Sequence, residues 1–211
     1  MIKGIIFDLD MCILDTRSLS GPFFQTVLDP LQHSNLPTTL KEDIIRHLWT
    51  TSLDDTIELF AVPEDIAKKM REAYRHIDVP NGIKSFGDEE YLRKLLVKKI
   101  LVTSGYKNFQ QTKIDKLGIA NLFDEVIIDE LDDRVVRKGK RRIFEEVLKN
   151  NQWDVSEVLV IGDNPLSELG AAKSLGIATV QTLRPTIKRW SEADYHIQDF
   201  SELQAIINKT P

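Results

Sequence analysis

Cysteine is almost absent from this chain of 211 residues: Cys12 stands alone. A single thiol excludes an intramolecular disulfide and a multi-cysteine metal site, and it fits a reducing compartment. Long apolar runs are missing too. Nothing approaches the roughly 18 consecutive apolar residues of a membrane span. The opening Met1-Ile2-Lys3-Gly4-Ile5-Ile6-Phe7-Asp8 turns acidic too early for a signal peptide. The expectation is a cytoplasmic protein without a membrane partner. Positive charge is not in excess either, since the formal net charge is −5. The one dense basic run, Arg137-Lys138-Gly139-Lys140-Arg141-Arg142, is answered by Glu145-Glu146, so no nucleic-acid partner is expected. Histidine is scarce, and the four present show no metal-ligand spacing.

What the chain does have is apolar material in strand-length runs. Residues 3–7, 99–102 and 158–161 read as buried strands. Each empties into polar or small residues: Asp8-Leu9-Asp10, Thr103-Ser104-Gly105 and Gly162-Asp163-Asn164. Residues 125–128 and 178–181 look like further strands of one sheet. Helical spacing fills the gaps at 88–96, 108–117, 142–150 and 167–175, and Gly118 and Gly176 read as helix stops. Alternating strand and helix implies an open, mostly parallel sheet covered on both faces. Such sheets bind ligands beyond the carboxyl ends of their strands, where all three polar clusters fall. Residues 17–80 break the rhythm with successive helical patterns at 21–32, 39–49, 53–60 and 63–76. The expected fold is therefore α/β: a Rossmann-like core of residues 1–16 and 81–211, with a small all-helical cap inserted at 17–80.

Asp8, Asp10 and Asp163 converge if their strands are neighbours. Unit charges about 4 Å apart repel by roughly 4 kcal/mol at an effective dielectric near 20, so such a cluster calls for a cation. Oxygen ligands without Cys or His favour Mg²⁺, which retains waters and a substrate phosphate. Carboxylate attack on phosphorus is the chemistry this suggests.

The run Phe7-Asp8-Leu9-Asp10-Met11-Cys12-Ile13-Leu14-Asp15-Thr16 resembles the first motif, D-x-D-G-T-L, of the haloacid dehalogenase superfamily. The helical insert makes it similar to that superfamily's phosphoglycolate phosphatase and β-phosphoglucomutase-like branch. The resemblance implies that Asp8 is a nucleophile forming an aspartyl-phosphate. It makes Asp10 the general acid and then base, with its backbone carbonyl on Mg²⁺. Thr103 matches the second motif and, with Ser104, would hold phosphoryl oxygens. For the third, lysine-bearing motif the resemblance implies Lys138, six residues before Phe144 as in K-P-x-P-x-x-F, with Lys140 as its competitor. Gly162-Asp163-Asn164-Pro165-Leu166-Ser167-Glu168 matches the fourth motif, with Asp163 as a direct metal ligand. Trp49 and Thr51 join two cap helices where related enzymes keep a specificity loop.

Two departures stand out. Met11 replaces the usual glycine and Cys12 the usual threonine. Retention of Asp10 argues against the dehalogenase branch, and no cap lysine suited to a Schiff base points to a phosphonate hydrolase. The resemblance implies a Mg²⁺-dependent phosphatase of a small phosphorylated metabolite. A sugar phosphomutase and a non-catalytic phosphate-binding module are the alternatives.

Overall fold

The computed structural model describes residues 1–19, 22–48, 51–131 and 135–210. Its centre is β1 (Gly4–Phe7), where every residue is buried. The other strands of the sheet are β4 (Lys98–Gly105), β5 (Glu125–Glu130), β6 (Val158–Gly162), β7 (Ala178–Thr182) and β8 (Tyr195–Ile197). Their order is β5-β4-β1-β6-β7-β8, all in parallel pairs. β8 was not expected; at three residues it is too short to leave a period in the sequence. The two-stranded antiparallel ribbon of β2 (Leu14–Asp15) and β3 (Lys84–Ser85) escapes sequence reading for the same reason.

Side chains alternate between two apolar layers, as strand geometry requires. Ile5, Phe7, Leu101, Leu159 and Ile161 join one layer, while Ile6, Ile100, Val102, Val158 and Val160 join the other. Helices α6 (Lys140–Asn151) and α7 (Glu168–Leu175) cover the second layer through Ile143, Phe144, Val147 and Ala172. Helices α5 (Lys107–Leu117) and α8 (Leu203–Lys209) cover the first through Phe109, Ile114, Leu203 and Ile206. Gly118 and Gly176 end α5 and α7 as expected. The segment expected as a helix at 88–96 winds instead as a 3₁₀ stretch, Glu89–Lys94. Asp88 is pinned at its start by Arg184, and a β4 backbone N–H is tied to Lys3 at its end, so the short span takes the tighter turn.

Among the described residues, four α-helices lie between β2 and β3: α1 (Gln25–Gln32), α2 (Thr38–Leu48), α3 (Leu53–Leu59) and α4 (Glu64–Arg75). Val27, Leu31, Ile44, Ile57, Ala67 and Met70 bury their apolar faces in the same continuous cluster as β1. Aromatic contacts carry that cluster across to α5. Tyr74 lies 4.3 Å from Tyr106 and 5.5 Å from Phe109, and Phe23 stacks on Phe109 at 6.2 Å. The Tyr106 hydroxyl donates to Asp54 at 3.2 Å, and Arg71 grips the same carboxylate at 2.7 Å.

The loop after β1 is held from the far end of the chain. Arg184 donates to the Cys12 carbonyl from Nε at 3.0 Å and Nη2 at 2.9 Å, and to the Gln198 carbonyl at 3.1 Å. It pairs with Asp88 at 2.8 Å, and its guanidinium lies 4.4 Å from the Phe86 ring centre and 4.8 Å from that of Phe200. Both partners are buried, so removing one strands the other at a cost of 3–5 kcal/mol in typical cases. We expect Arg184→Met to lose about 3 kcal/mol of stability, read as an earlier midpoint in urea unfolding. A midpoint unchanged from that of the parent protein would show the pair to be dispensable.

Candidate active site

The register of the sheet sets the site. Phe7 pairs with Leu101 on one side and Ile161 on the other. Asp8 and Asp163, just past the ends of β1 and β6, and Thr103 within the adjacent β4 therefore emerge at nearly one level. They line a cleft of about 1590 Å³ together with Asp10, and residues of the helical insert such as Thr51 and Tyr74 line its other side.

Asp8 is buried, and its Oδ1 accepts a hydrogen bond from Lys140 Nζ at 2.6 Å. The same ammonium donates to Glu168 Oε2 at 2.9 Å. Glu168 is itself buried, and its Oε1 takes the Asn164 backbone N–H at 2.7 Å. Gly162 allows this approach: a Cβ there would lie 2.2 Å from a Glu168 carboxylate oxygen. Asp8, Asp163 and Glu168 bring carboxylate oxygens within 4.8 Å of one another. Burial, with the Lys140 charge opposing it, pushes Asp8 up to about 7. Burial and the charges of Glu168 and Asp8 push Asp163 up to about 8. For Lys140, burial works against the charge, but the two carboxylates outweigh it and hold the amine well above its ordinary range.

The lysine in the site is thus Lys140, and the expectation for Lys138 is corrected. Lys138 points outward to Glu146 at 2.6 Å, and its side chain is 43% exposed. The reason is local. Asp129 accepts from the backbone N–H groups of Lys138 at 2.8 Å and Gly139 at 3.2 Å, and Gly139 adopts φ 78°. This turn starts α6 at Lys140, whose side chain then enters the cleft. The spacing to Phe144 suits a proline-bearing loop that this chain lacks.

Asp10 sits at the mouth of the cleft with its carboxylate held from α5. Lys113 Nζ reaches its two oxygens at 2.9 and 3.0 Å, and Gln110 Nε2 reaches Oδ2 at 3.1 Å. Neither partner was foreseen. Thr103 Oγ1 accepts from Gln110 Nε2 at 2.6 Å, which leaves the threonine proton free to donate. Ser104 turns its hydroxyl toward Asp129 at 3.4 Å. Met11 keeps the left-handed backbone natural to glycine, φ 53°, despite its side chain. Cys12 is fully buried, and burial followed by the Asp8 charge raises its thiol, which disfavours a thiolate. Trp49 lies outside the described residues.

The model of the haloacid dehalogenase-like hydrolases matches residues 5–182, which span β1 through β7. The chain belongs to that family. Among curated proteins, this haloacid dehalogenase-like hydrolase is 25% identical over 203 residues to a glyceraldehyde 3-phosphate phosphatase of Pyrococcus abyssi, covering 85% of this chain and 81% of that one. A phosphatase of the family from Thermococcus onnurineus has a similar structure, with a TM-score of 0.68, 24% identity and 98% coverage of each chain. The hydrolase YfnB of Bacillus subtilis, solved with magnesium bound, gives a TM-score of 0.64 at 19% identity, covering 98% of this chain and 99% of that one.

The site residues fit a divalent cation. Three carboxylates face one ammonium, every donor is a hard oxygen, and the Asp163 carboxylate accepts no hydrogen bond among the described residues. Asp8 and Asp163 hold their protons to higher pH when folded than the ordinary 3.8. The folded chain therefore binds more protons than the unfolded one across that interval. Without metal, the contribution of these groups to stability falls as pH climbs from about 4 to about 8. A cation competes with those protons. Added Mg²⁺ should raise Tm more at about pH 8.5 than at about pH 5.5; equal shifts at the two would count against a cation on these acids.

Proposed function

We propose that this hydrolase is a Mg²⁺-dependent phosphatase of a small phosphorylated metabolite, working through an aspartyl-phosphate on Asp8. The observation that carries the reading is the Asp8–Lys140–Glu168 array, with the Asp163 carboxylate beside it unpartnered among the described residues. An Asp8 oxygen attacks phosphorus, the bond to the leaving oxygen breaks, and Asp10 passes its proton to that oxygen. Asp10 then takes a proton from water, which attacks the same phosphorus and frees phosphate and Asp8. Lys140 offsets charge on Asp8 and the incoming phosphoryl group, and the Thr103 hydroxyl and Ser104 backbone N–H donate to its oxygens. Asp8, Asp163 and the Asp10 backbone carbonyl would hold Mg²⁺, which supplies positive charge to the transferring group.

The helical block at 17–80 acts in this reading as a cap domain over a core of residues 1–16 and 81–211, excluding bulk water. The name of the Pyrococcus relative supports a phosphorylated metabolite as substrate, and that of the magnesium-bound Bacillus structure supports the metal.

Phosphate release from a panel of small phosphoesters tests the proposal. Turnover should vanish with EDTA and in Asp8→Asn. Lys140→Met should lower kcat by at least about 100-fold, in keeping with the loss of a transition-state donor, while Lys138→Met stays near the parent rate. Activity surviving in Asp8→Asn removes the nucleophile assignment. Rearranged sugar phosphate without free phosphate would instead indicate a mutase. Thr51→Ala, and Trp49→Ala two positions earlier in the sequence, should change the ranking of substrates across the panel; an unchanged ranking refutes a specificity role for these residues.

A further inference from the structure

Asp10 has to aim its carboxylate at a leaving oxygen and later at a water, yet it lies on a short loop and its side chain is 32% exposed. A side chain so placed has several rotamers open to it, and proton transfer depends on hydrogen-bond geometry. The structure removes that freedom from one direction. Lys113 meets both Asp10 oxygens, at 2.9 and 3.0 Å, with only 5% of its own side chain exposed. Its ammonium also sits 4.4 Å from the centre of the Phe109 ring. Gln110, one helical turn earlier on α5, is buried and offers Nε2 to Asp10 at 3.1 Å, Thr103 Oγ1 at 2.6 Å and the Ser104 carbonyl at 3.1 Å. An amide nitrogen has two hydrogens, so Gln110 divides them among these three acceptors and links the acid–base aspartate to the threonine. Among the described residues its Oε1 is buried without a donor, so there this amide is held by its nitrogen side alone.

A buried ammonium with no role would be costly, and Lys113 has one carboxylate as its ion-pair partner among the described residues, that of Asp10. We propose that Lys113, assisted by Gln110, is the positioning residue that orients Asp10 for proton transfer. The proposal rests on the phosphatase reading. It adds that the orientation comes from the sheet-covering helix α5, on which both partners lie.

Leaving-group chemistry tests it. An alkyl phosphate needs a proton delivered to its departing oxygen, whereas p-nitrophenolate leaves without one. In Lys113→Met, kcat/KM for an alkyl phosphate should fall about 100-fold, the scale of general acid catalysis, while kcat/KM for p-nitrophenyl phosphate stays within about 3-fold. Activation of water by Asp10 should slow as well, so with p-nitrophenyl phosphate kcat and KM should fall together. The double variant Asp10→Asn/Lys113→Met should be no worse than Asp10→Asn alone, because a positioning residue has nothing left to position. Lys113→Arg should recover part of the alkyl-phosphate rate. Lys113→Gln carries the same comparison should the methionine variant not fold. Equal losses on both esters, or losses that multiply with Asp10→Asn, overturn the proposal. A parent protein that hydrolyses neither ester, or an active Asp8→Asn, defeats the phosphatase reading instead, so the two failures are distinguishable.

Discussion

Negative charge gathered at one point, with too little positive charge to balance it, governs this molecule. Asp8, Asp163 and Glu168 share a few ångströms with one ammonium. Like charges at about 4 Å cost roughly 4 kcal/mol at an effective dielectric near 20, a large fraction of the stability of an ordinary domain. Much of what surrounds the cluster meets that cost. Lys140 bridges two of the acids, the Asn164 backbone N–H answers the third oxygen, and Asp129 shapes the turn that delivers the lysine. The remaining imbalance suits a cation.

The sheet makes this concentration of charge tolerable. Parallel strands put all their carboxyl ends on one edge, so β1, β4 and β6 deliver their polar termini together while their central residues stay buried and apolar. Those buried residues supply the hydrophobic stabilisation, and the site takes up only the edge. The helical insert completes the enclosure from the opposite side through aromatic contacts with α5, the helix that also supplies the partners of Asp10.

Most of the architecture was legible in the sequence because apolar runs of strand length are hard to disguise. β1, β4 and β6 were all located by their burial pattern, and Asp8, Thr103 and Asp163 followed from where those runs end. Lys138 misled because its spacing to Phe144 belongs to a loop with prolines, while Gly139 and Asp129 build a different turn here. Gln110 and Lys113 were missed because their partner lies about a hundred residues away. A signal existed nonetheless. Phe109, Gln110, Lys113 and Ile114 all fall on the buried face of α5, and two polar residues on an apolar stripe require polar partners. The left-handed backbone at Met11 left no trace of its own, since methionine rarely announces such a conformation.

The order of synthesis gives the Arg184 bolt a further meaning. Asp8 and Asp10 are made before the other acids of the site, but the Cys12 carbonyl in their loop waits for a guanidinium made more than 170 residues later. That guanidinium in turn needs Phe200 beneath it and the Gln198 carbonyl beside it. A nascent chain can therefore carry every acid of the site while the loop after β1 is still unlatched. The latch on the first-made acids thus comes from residues made after every acid of the site.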